Sequence, residues 1–390
     1  MATTVSDSDG LPRDLALTWS GQALDVAHIE AELAKLRYMA VGEPTSGEGF
    51  ALRTSLLNIV TYAEREEGGL LASRVIEDLA SHYPSRALVM IANANTQESR
   101  IEAQLAAHCH ISRAEEQSVC CEEVTLRVQG PAAAHLHSVV VPLLVPDLPV
   151  YTWWTEEIPD DFHLIRELMQ TSDRLIVDMD KMRDELTSML VLSHLAELEP
   201  HCTIGDLNWD RLDMWRDLLE QQRNITEMRH HLASVESVEI RYAGTLDANK
   251  PGRAILFLAW LARRLGWDAG SVSSEGPKRF TLRAAEGATV SAYVHSVDLS
   301  TVEVGSIVSV KISCRSEGKG ALLSISRTGD PYHLTVRTEH NDEVTEEGYR
   351  LDQQDTAALL MMELDAGARD KEYNNILRAA GPLIQAARAR

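Results

Sequence analysis

The chain has 390 residues and carries 37 Lys and Arg against 59 Asp and Glu, a formal net charge of −22 at pH 7. A field of that sign repels phosphate backbones and anionic lipid, which disfavours nucleic acid and membrane as partners. A hydrophobic share of 44% over this length is enough for two buried cores.

Residues 1–14 (MATTVSDSDGLPRD) are polar and small and read as a frayed terminus. Residues 27–37 have helical spacing through Ile29, Leu33 and Leu36, so 1–50 form a flexible N-terminus with a leading helix. An α/β domain is expected over 51–225. Its first strand is read at 53–63, a helix at 71–83, and a buried strand at 87–92 (ALVMIA).

The stretch 120–154 organises this half. Cys120, Val124, Leu126 and Val128 share one parity, and Cys121, Glu123, Thr125 and Arg127 the other, which suits a strand with one apolar face. Glu122 sits on the apolar parity and breaks the pattern. Gly130-Pro131 ends the strand and starts a helix, Pro142 limits that helix, and Pro146 and Pro149 stiffen the turn into a strand at 150–154. The result is a β-α-β unit with a parallel pair. Further on, 162–169 reads as a helix, 174–178 as a short strand and 182–198 as a helix. Asp206 caps a helix carrying Trp209, Leu212, Trp215, Leu218 and Leu219. Alternation of strands and helices implies a mainly parallel sheet.

From residue 235 the pattern changes. A strand at 238–242 and an Ala- and Leu-rich helix at 253–265 precede short strands at 279–283, 290–294, 306–314, 321–326 and 332–337, joined by glycine-containing turns. That spacing predicts an antiparallel meander, with 332–337 as its edge. Two closing helices, 353–364 and 371–387, complete an α+β C-terminal domain over 235–390. The longest apolar runs, 254–262 and 139–145, are too short to span a bilayer.

The chain gives no catalytic or cofactor signature. Neither a G-x-G-x-x-G nor a G-x-x-x-x-G-K-[ST] loop occurs, nor a G-x-S-x-G elbow, so no cofactor is expected. His108, Cys109, His110, Cys120, Cys121, His135 and His137 supply metal-ligand types, but without a Cys-x-x-Cys pair, and no metal is expected. Five cysteines, an odd number with no signal peptide ahead of them, point to a reducing, cytoplasmic setting. Cys121 on the polar parity, Cys202 and Cys314 are the candidate redox thiols. Trp153 and Trp154 split by parity, so either one ring packs in the core while the other lies at the strand's carboxyl end, where α/β sheets meet ligands or partners, or both pack in the core.

Several stretches together resemble one family. Pro84-Ser85-Arg86, CCEEVTLRVQG, HSVVVPLLVPDLPVYTWW, RLIVD, GDLNWDRLDMWRDLL, AILFLAWLARRLGW and LLSISRTGDP are similar to the OpcA family of glucose-6-phosphate dehydrogenase assembly proteins, from about residue 50 to the C-terminus. The Cys-Cys-Glu and LNW details resemble cyanobacterial members. The resemblance implies a non-catalytic protein that binds glucose-6-phosphate dehydrogenase, promotes its active oligomer and raises its affinity for glucose 6-phosphate. It also implies thioredoxin as a further partner. For such a partner the stiff Pro-bounded turn and its aromatics suggest a surface of Asp147, Leu148, Pro149, Trp153 and Trp154, with the helix carrying Trp209 and Trp215 as a second candidate and the edge strand at 332–337 as a third. The competing reading is a sugar-phosphate enzyme or binding protein that uses Arg53, Arg86 or Arg127 as phosphate ligands.

Overall fold

The computed structural model describes residues 13–21, 26–41, 55–94, 96–112, 117–159, 161–245, 249–274, 279–284, 287–316, 318–327 and 329–388. In chain order the elements begin β1 (Arg13–Gly21), α1 (Val26–Val41), β2 (Leu57–Ala63), α2 (Glu66–Leu79), β3 (Ser85–Asn93), β4 (Arg100–Ser112) and β5 (Gln117–Gln129). They continue with α3 (Leu136–Val140), β6 (Val150–Trp154), α4 (His163–Met169), β7 (Arg174–Val177), α5 (Glu185–Leu198), β8 (Thr203–Asp206), α6 (Leu207–Asp210), α7 (Asp213–Asn224) and α8 (Thr226–Leu232). The remainder is β9 (Val235–Ala243), α9 (Gly252–Arg264), β10 (Asp268–Ser274), β11 (Arg279–Arg283), β12 (Thr289–Val297), β13 (Ile307–Ser316), β14 (Lys319–Arg327), β15 (His333–His340), β16 (Glu343–Arg350), α10 (Thr356–Ala366) and α11 (Glu372–Arg388).

Two units hold these elements. The first takes residues 1–177, 199–203 and 356–369, and the second 178–198, 204–355 and 370–390. The first sheet has the order β1-β4-β5-β3-β2-β6-β7-β8. From β5 through β3, β2 and β6 to β7 every pairing is parallel, while β4 runs antiparallel to β5 and β1 antiparallel to β4. A mainly parallel α/β sheet is therefore present, with an antiparallel edge. β5 and β6 run the same way but are not neighbours, because β3 and β2 lie between them. The crossover through α3 steps over two strands, which the local pattern of 120–154 could not reveal.

Interior parallel strands are covered on both faces, so they read as unbroken apolar runs. β2 and β6 are buried at every position. α2 packs on β2 and β3 through Ala72, Val75, Ile76 and Leu79. Gly69 permits that approach, since a Cβ there would fall 2.3 Å from Cδ1 of Ile91. Long β4 and N-terminal β1 had no counterpart in the expected elements. β1 falls partly on residues that read as a frayed terminus.

The second sheet has the order β10-β11-β12-β9-β13-β14-β15-β16. Its one departure from an antiparallel pattern is the parallel β12–β9 pair, which corrects the uniform meander. One face is apolar: Val290, Ala292 and Val294, then Val310, Ile312 and Cys314, then Ala321, Leu323 and Ile325, then Leu334 and Val336 are all buried. α9 is buried from Gly252 to Ala262 and packs against α11, β9 and β10 within this unit. Its apolar circumference follows from that enclosure.

The edge lies one strand beyond 332–337. β16 pairs outside β15 through a turn in which Asn341 and Asp342 have φ of 50° and 63°, the positive values a tight hairpin turn needs and Asn and Asp tolerate. Three glutamates on β16, Glu343, Glu346 and Glu347, keep this exposed edge charged. The two closing helices are present as α10 and α11, and they belong to different units.

Candidate functional site

The Pro-bounded turn before β6 is held from inside the first sheet. Asn58 of β2 is completely buried, and its Nδ2 donates to the carbonyls of Val145 (3.0 Å) and Leu148 (3.4 Å). Its Oδ1 accepts from Val145 N at 2.8 Å, and its own backbone N–H donates to Pro149 O at 2.8 Å. One amide side chain thus stands in for a strand partner of the turn. Asp147 is exposed at the tip with φ of 65°, and Leu148 and Pro149 are half-buried. Sequence reasoning found the turn and missed Asn58, whose polar type inside an apolar run was the available signal.

Neither tryptophan of β6 reaches the surface. Trp153 is 3% and Trp154 2% exposed, which corrects the alternative of an exposed ring at the strand end. The reason is topological: β6 lies between β2 and β7, so its two parities face two covered layers. Trp154 stacks on Tyr62 of β2, and its Nε1 donates to Glu157 O at 3.2 Å. Burial, with Glu64 and Glu156 adding, pushes the Tyr62 phenol up to about 12.

Trp209 and Trp215 are likewise both buried in the second unit. The Arg216 guanidinium lies 3.7 Å from the Trp209 ring centroid, and Tyr373 packs on the same ring at 6.3 Å. Asp206 caps α6 as read from the sequence, accepting from Asn208 N at 2.9 Å, but the single helix expected through Leu219 breaks after Asp210 and resumes as α7 at Asp213. It also accepts from Met179 N and from the Tyr373 hydroxyl, both at 3.0 Å. Full burial pushes its carboxyl up to about 7 despite those donors, with Asp178 adding.

The candidate redox thiols are buried too. Cys121 is 0% exposed, and Cys202 and Cys314 are buried. Desolvation pushes Cys121 up to about 11, with the Ser85 hydroxyl at 3.2 Å opposing, and pushes Cys202 and Cys314 each up to about 12. Such thiols are poor nucleophiles. Parity failed for Cys121 because β5 is also an interior strand with both faces covered. The side chains of Cys109, Cys120, His108 and His110 lie outside the described ones. Among the described residues no group of three His, Cys, Asp or Glu is placed to hold a metal ion.

The arginines proposed as phosphate ligands are already engaged. Arg86 is fully buried; its Nε donates to Glu122 at 2.8 Å and its Nη1 to Leu143 O at 3.0 Å and to Glu30 at 2.7 Å. Glu122, the residue that breaks the apolar parity of β5, sits beside Arg86 in register and closes this pair. Arg127 is paired with Glu66. Arg53 lies outside the described residues.

The second unit holds a cavity of about 340 Å³ that sequence reasoning did not find. Three arginines line it: Arg211 after α6, Arg253 of α9 and Arg327 of β14. Arg211 forks onto Asp178, with bonds of 2.7 and 3.0 Å. Burial raises Asp178, but the Arg211 fork outweighs it and holds that carboxyl below its ordinary value. Arg253 donates to Ser306 Oγ at 2.9 Å and to Glu303 at 3.0 Å, and it lies 3.0 Å from Asp180. Arg253 and Asn208 are also directly bonded. The three arginines come from segments far apart in the chain, so no local pattern could have signalled them.

Fold and site together define a two-unit protein, one α/β and one α+β, in which Arg86, Arg211 and Arg253 are each engaged by carboxylates of the same chain. Two family models match it. One is described as the N-terminal domain of a glucose-6-phosphate dehydrogenase subunit, over residues 76–194, and the other as that subunit's C-terminal domain, over 202–377. The chain belongs to this family, the OpcA family, as its motifs implied. It is 25% identical over 356 residues to the OxPP cycle protein OpcA of Synechocystis sp., covering 89% of this chain and 72% of that one. To the protein of the same description from Synechococcus elongatus it is 30% identical over 270 residues, covering 68% of this chain and 58% of that one. Among solved structures it is similar to a 3-ketoreductase, KijD10, from Actinomadura kijaniata, with a TM-score of 0.46, 12% identity and coverage of 85% and 97%. No helix among the described residues is long and apolar enough to cross a membrane.

Proposed function

We propose that this protein binds glucose-6-phosphate dehydrogenase without catalysing a reaction itself, favours the enzyme's active oligomer and raises its affinity for glucose 6-phosphate. The observation that carries the reading is the run of two family models, each described as a domain of that dehydrogenase's subunit, over 76–194 and 202–377. The OxPP cycle description of the two cyanobacterial relatives is consistent with it. An activator of this kind binds the high-affinity state of the enzyme more tightly than the low-affinity state, and substrate then tightens the complex reciprocally. A coupling of about 1–3 kcal/mol shifts substrate affinity roughly 5–150-fold.

The contact surface we assign to the Asp147–Leu148–Pro149 turn, which Asn58 holds in one conformation so that little order is lost on docking. The four buried tryptophans leave the contact set. A thioredoxin partnership has no support from Cys121, Cys202 or Cys314, whose burial withholds them from exchange.

The test is a kinetic titration of the dehydrogenase from the same organism across glucose 6-phosphate concentrations, with and without this protein. A fall in the apparent substrate constant that saturates with added protein is expected. No kinetic change together with separate elution on a sizing column would overturn the reading. Asp147→Asn, which keeps a residue that tolerates positive φ while removing the charge, is expected to raise the concentration needed for half-maximal activation. An unchanged value would remove the turn from the interface.

A further inference from the structure

Arg327 differs from the other two arginines of the second unit's cavity. Its Nε donates to Ile307 O at 2.8 Å and its Nη1 to Pro331 O, both of them neutral carbonyls. Among the described residues no carboxylate pairs with it, and its Nη2 has no protein acceptor. The ring of Trp215 lies 5.7 Å from its guanidinium carbon. Desolvation, with Arg253 repelling it, pulls this guanidinium down to about 10. A partly buried cation that faces another cation is costly unless an anion completes the site.

Glu303 shows how such an anion would be received. Its carboxylate, 55% exposed, reaches in from the mouth and accepts from Arg253 Nη2 at 3.0 Å. Desolvation works against it, yet Arg253 holds its carboxyl below the ordinary value. Asp180, on the inner side of Arg253, is raised by burial, so the two carboxyls divide into one readily ionised and one reluctant. Asp352 and Tyr332 also line the cavity, at its rim. The remaining lining includes Thr301, Ser306 and Gln353, hydroxyl and amide groups suited to a hydroxylated ligand. A cavity of about 340 Å³ is small-molecule sized.

We infer that this cavity of the second unit binds a small hydroxylated phosphate monoester, its phosphate held by Arg327 and Arg253, with Glu303 occupying the anion's place when the ligand is absent. Guanidinium groups bind phosphate through paired N–H donors, and Arg327 has such donors to offer. The inference does not rest on dehydrogenase binding, because all the groups it uses belong to this chain.

The experiment uses the full chain alone, with no dehydrogenase present. Inorganic phosphate and glucose 6-phosphate are titrated by calorimetry and by thermal unfolding at constant ionic strength, with glucose as the uncharged control. Saturable binding of glucose 6-phosphate and of phosphate is expected, with none of glucose. Arg327→Met should weaken glucose 6-phosphate binding by about tenfold or more, the usual effect of losing bonds to a charged group. Glu303→Gln, at the exposed mouth, should tighten it by a few-fold, since the competing carboxylate is gone. Absence of binding by the wild type, equal binding by Arg327→Met, or unchanged or weaker binding by Glu303→Gln would each overturn the inference. Should Arg327→Met fail to fold, the opposite sign required of Glu303→Gln still decides it.

Discussion

The indole of Trp154 lies flat on the phenol ring of Tyr62, with centroids 4.2 Å apart and an interplanar angle of 12°. The two side chains come from neighbouring parallel strands, where Tyr62 of β2 is in register with Trp154 of β6. This stack places the tryptophan pair inside the first unit's sheet layers and makes them determinants of stability. Trp154→Ala should cost about 3–5 kcal/mol, the usual range for a large buried aromatic, while Trp154→Phe should cost less because a ring still covers Tyr62. Urea unfolding followed by circular dichroism measures both. A loss under 1 kcal/mol for the alanine variant would show that the stack contributes little.

Asn58 is the corresponding polar determinant. Asn58→Leu fills a similar volume but leaves Val145 N and the carbonyls of Val145 and Leu148 without their side-chain partner. The cost should be about 1–3 kcal/mol per group left buried and unpaired. Hydrogen exchange of the Val145 amide should accelerate well before global stability falls. Equal exchange in the two proteins would mean that the turn holds itself.

The thiols are open to a direct chemical test. Native protein treated with iodoacetamide at pH 8 should remain unmodified at Cys121, Cys202 and Cys314, since each is buried and has its thiol raised by desolvation. Denatured protein should react fully at all three. Peptide mass spectrometry reads each site separately, and rapid native labelling of any one would show that its cover opens.

Glu185 imposes a pH dependence on the second unit. Its Oε2 accepts from Gly252 N at 2.8 Å, and burial pushes its carboxyl from 4.5 up to about 7, with Lys250 and Arg253 opposing and Asp180 adding. A raised acid binds its proton more tightly folded than unfolded. Its contribution is therefore fully present below about 4.5 and is lost as pH rises to about 7. Glu185→Gln lacks that loss, so its stability relative to the wild type should rise across this window by at most about 3 kcal/mol, then level off. Asp206, raised by burial to about 7, acts in the same direction in both proteins and cancels in the difference. A flat difference between pH 4.5 and 7.5 would contradict the assignment. A Cβ at Gly252 would lie 2.7 Å from Glu185 Oε2, so a side chain there would require that carboxylate to shift from its bond to the Gly252 amide.

What the sequence by itself determined was local. Proline and glycine placed the breaks around α3 and before β6, Asp206 announced its cap, and apolar runs located β3, β7 and α9, because each signal depends only on near neighbours in the chain. The family, too, was legible in short motifs. The tertiary structure alone decided which strands lie side by side, and with that which residues are covered. β3 and β2 slot between β5 and β6, so parity could not expose Cys121 or a tryptophan. Glu122 looked like a fault in the pattern until Arg86 was placed beside it. Residues 356–369 belong with the first unit although their chain neighbours belong to the second, and Arg211, Arg253 and Arg327 line one cavity from three distant segments. Periodicity reports that a face is apolar or polar; whether it is covered depends on long-range pairing, which no local pattern carries.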